Sequence, residues 1–96
     1  MLTVTTTAKD KLKETLQKQT TDPEVAIRVT SLHARENRLE LTLDKQKKGD
    51  QVIASEEGLK LLLICSKLAN GLADIVLDYK ETFYGADFII SKHTHA

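Results

Sequence analysis

The sequence predicts an α+β domain that is mainly β, an antiparallel sheet or sandwich carrying an amphipathic helix at its N-terminal end. Three observations lead there. One helical-period apolar stripe is confined to the first fifth of the chain. The rest breaks into period-two or short apolar runs of strand length. Isolated glycines and polar clusters separate those runs, with no alternating β-α-β spacing. The 96 residues suit one hydrophobic core, so residues 1–96 are expected to form a single domain.

Leu2 to Val4 opens the chain as a short strand. Thr7 stands three residues before Asp10, resembling a capping box, and predicts a helix start there. Ala8, Leu12 and Leu16 then fall on one face, with lysines and Glu14 around the remainder, so the helix must lie on an apolar surface. Thr20-Thr21-Asp22-Pro23 ends it, because proline disfavours helix at the residue before it. From Val25 to Thr30 the period is two, with Val25, Ile27 and Val29 on one face and Ala26, Arg28 and Thr30 on the other. Ser31 to Asn37 reads as a loop, and Leu39, Leu41 and Leu43 mark a second half-buried strand.

Lys45 to Asp50 is a charged turn. Gln51 to Ala54 and Leu59 to Ile64 are strands split by Glu56-Glu57-Gly58, the second nearly all apolar and therefore central. Lys67 to Asn70 makes one helical turn, which Asn70-Gly71 would end in left-handed geometry. Asp74 to Asp78 and Ala86 to Ser91 complete the strands, with Tyr84-Gly85 in the turn between them.

Fourteen basic residues balance fourteen acidic ones, so no net field draws in nucleic acid. The single cysteine, Cys65, has no partner for an internal disulfide, which suits a reducing compartment; cytoplasm is the expected location. The N-terminus lacks the basic flank and apolar stretch of a signal peptide. The aliphatic run Leu61 to Ile64 is far below a membrane span, so no membrane partner is expected.

No phosphate loop, Gly-x-Ser-x-Gly, His-Glu-x-x-His or Cys-x-x-Cys is present, and no base, nucleophile and orienter stand together. Asp74 and Asp78 read as a solvated pair, and an enzyme is not expected. The residues that stand out are the three histidines: His33 in the expected loop, and His93 and His95 as His-x-His near the C-terminus. Imidazole is a common ligand for transition metals, and three leave coordination positions open. The plainer alternative is a loop residue and a solvated tail. Arg35 and Arg38 share that loop, with Arg28 on the preceding strand, and two guanidiniums there offer a site for an anion, or ordinary pairs with Glu36, Glu40 and solvent. Lys45-Gln46-Lys47-Lys48 reads as a solvated turn, and Cys65 as a buried small hydrophobe.

The order of elements carries a resemblance. Arg28-Val29-Thr30-Ser31, a loop, Leu39-Glu40-Leu41-Thr42-Leu43-Asp44, a polar turn and the strand before Gly58 are similar to the core of the HesB/IscA-like family of A-type iron–sulfur cluster carriers. Leu72 to Tyr79 and Gly85-Ala86-Asp87-Phe88 are similar to that family's last two strands. The resemblance spans nearly the whole chain and implies the family's FeS biogenesis core domain, with a twisted antiparallel sheet.

The family's cluster chemistry rests on a loop cysteine and a C-terminal Cys-x-Cys, soft donors suited to iron–sulfur clusters. None of these is present; His33 falls near the loop position, and His93-Thr94-His95 has the spacing of the C-terminal pair. The chain thus reads as a degenerate member. Its expected role is a binding or scaffold domain related to cluster biogenesis, without an iron–sulfur cluster, its expected partners iron–sulfur assembly proteins or a second copy of the chain. The alternative is a mononuclear binder of one transition-metal ion through His33, His93 and His95.

Overall fold

A computed structural model describes residues 2–36 and 38–92. In chain order the elements are β1 (Thr3–Val4), α1 (Thr6–Gln19), β2 (Val25–His33), β3 (Arg38–Lys45), β4 (Gln51–Ala54), β5 (Lys60–Ile64), α2 (Ser66–Ala69), β6 (Ile75–Thr82) and β7 (Gly85–Lys92). A 3-10 turn, Ala34–Glu36, joins β2 to β3, and another, Asn70–Leu72, extends α2. The strands form a three-stranded sheet, β1-β6-β7, and a four-stranded sheet, β3-β2-β5-β4. The β2–β3, β4–β5 and β6–β7 pairs are antiparallel, as the tight turns predict, but β1–β6 and β2–β5 are parallel, so both sheets are mixed. Among the described residues no helix is long and apolar enough to cross a membrane.

The helix starts earlier than the Thr7–Asp10 spacing predicts. Its N-cap is Thr5, whose hydroxyl accepts the Ala8 N–H at 3.2 Å and donates to the Asp78 carboxylate at 2.7 Å. That second bond exists because β1 runs along β6, pairing Val4 with Leu77, which delivers Thr5 to Asp78. A capping partner 73 residues away is invisible to a local motif. Ala8, Leu12 and Leu16 are buried as the periodicity demands, in one cluster with Ile27, Val29, Leu62, Ile64, Leu72, Leu77 and Ile90.

Strand β2 continues through the expected loop. Val29 pairs with Leu41 but Ser31 with Glu40, leaving Thr30 as the extra residue of a bulge. Since alternation has period two, one inserted residue moves the inward set from Ile27 and Val29 to Leu32, which pairs with Leu39; both pack against the core. The broken alternation made Ser31 to His33 look like loop. Strand β5 is central, between β2 and β4, and Leu61 to Ile64 are all buried, as a continuous apolar run predicts. Gly71 is not left-handed, because the chain keeps turning right-handed through Asn70–Leu72.

Candidate functional site

His33 is the last residue of β2, opposite Arg38, where the 3-10 turn begins. Its Nε2 lies 2.7 Å from Glu40 Oε1, both side chains partly exposed. Across the bulge Glu40 stands beside Ser31, which brings its carboxylate within reach of the imidazole two residues further on. One ring nitrogen is therefore engaged, and a metal would have to use Nδ1 or displace Glu40. His93 and His95 lie outside the described residues. Among the described residues no three His, Cys, Asp or Glu side chains are grouped to hold a metal ion.

Arg28 is no anion receptor. Its Nε donates to Asp44 at 2.6 Å, Nη1 and Nη2 to the two Asp50 oxygens at 3.0 and 2.5 Å, and Nη2 also to the Lys45 carbonyl at 3.1 Å. The Asp50 side chain is 3% exposed and that of Arg28 10%. Asp50 also accepts the Lys47 N–H at 2.7 Å, so one buried carboxylate closes the β3–β4 turn and ties it to β2. Arg28 holds the Asp50 carboxyl below the usual carboxylate range. The Asp44 carboxyl is lowered first by the Lys45 N–H and then by Arg28. Glu40, expected as a partner for the arginines of the loop, is instead bound to His33, and Arg35 is exposed.

Cys65 is half-buried at the N-cap of α2, directly after β5, and its carbonyl accepts the Leu68 and Ala69 N–H groups at 3.0 and 3.1 Å. It is the only thiol in the sequence. Protein-held iron–sulfur clusters use four cysteines, or two with two histidines. This chain supplies one such sulfur.

No known family model and no curated protein matches the sequence. Solved structures do. Escherichia coli SufA, involved in biosynthesis of iron–sulfur clusters, is 18% identical, with 99% of this chain and 82% of that one aligned at a TM-score of 0.63. A protein from Aquifex aeolicus, solved in solution, is 21% identical over 95% of this chain and 90% of its own at a TM-score of 0.65. IscA, crystallised with a [2Fe-2S] cluster, is 20% identical over 96% of this chain and 82% of its own at a TM-score of 0.58. The fold is that of IscA and SufA.

On this IscA-like fold one surface feature went unread in the sequence: Phe83 and Tyr84, at the tip of the β6–β7 hairpin, are 99% and 97% exposed. Two adjacent aromatics just before a turn glycine were the available signal.

Proposed function

We propose that this chain uses the IscA-like scaffold as a non-catalytic binding domain in iron–sulfur cluster assembly and neither holds nor hands over a cluster itself. The observation that carries this reading is a single thiol on a fold shared with IscA and SufA. Cluster transfer needs soft anionic donors that bind iron and release it. Histidines at comparable positions are harder, neutral donors, and the one described here is already bonded to Glu40. What the scaffold retains is surface, and its partners in this reading are proteins that do carry clusters.

The test is anaerobic incubation of the full chain with ferrous iron and sulfide, followed by desalting and visible absorption. A colourless protein is expected. A stable absorbing species with stoichiometric sulfide would overturn the proposal.

A further inference from the structure

We draw no further inference here: the strongest candidate, the aromatic surface patch of Phe83 and Tyr84 at the tip of the β6–β7 hairpin, carries nothing because nothing in the structure shows what covers it.

Discussion

Asp50→Ala is expected to lower the unfolding free energy by about 3–5 kcal/mol, the cost of removing one partner from a buried ion pair. The loss falls on Arg28. Its guanidinium would keep Asp44 and the Lys45 carbonyl but lose both Asp50 oxygens, and would stay in a place from which water is largely excluded. The Lys47 N–H would lose its acceptor as well. For a domain of this size each kcal/mol moves Tm by about 4–8 °C, so a fall of at least ~12 °C is expected in thermal unfolding. The pH dependence has a definite sign. Because Arg28 lowers the folded-state carboxyl of Asp50, the pair's stabilisation is complete above the unfolded carboxylate value near 4 and is lost as pH falls through the lower folded value. Asp50→Asn should therefore be less stable at pH 7 and show a shallower loss of stability in acid.

Leu62→Ala is expected to cost about 2–5 kcal/mol by chemical denaturation, the range for removing a fully buried leucine from a packed core. Leu62 sits mid-strand in β5, opposite Ile27 on β2 and Ile53 on β4, and is completely buried. Neighbours held by two strand ladders cannot collapse into the space left behind. Leu43→Ala on edge strand β3 is the contrasting case, expected within about 0.5 kcal/mol because a partly exposed side chain leaves no closed cavity.

What could be read from the sequence was what a short window contains. The Ala8, Leu12, Leu16 stripe and the unbroken apolar run of β5 are both buried as expected, while on β3 Leu39 and Leu41 pack against the core and Leu43, expected beside them, is exposed. What escaped depended on distant partners. Thr5 rather than Thr7 caps α1 because β6 brings up Asp78. Arg28 looked like an outward strand residue until the β3–β4 turn folded Asp50 over it. The bulge at Thr30 shifted the pattern by one residue and hid three residues of strand. At the site, His33 was expected in a loop between the two strands but is the last residue of β2, and its bond to Glu40 follows from the register that the bulge sets.

Iron and acid-labile sulfide, measured in the full chain purified anaerobically from iron-replete cells without reconstitution, probe most directly whether this one-thiol relative in shape of IscA works without a cluster. Both should be far below one equivalent per chain. Near-stoichiometric iron with matching sulfide would contradict it.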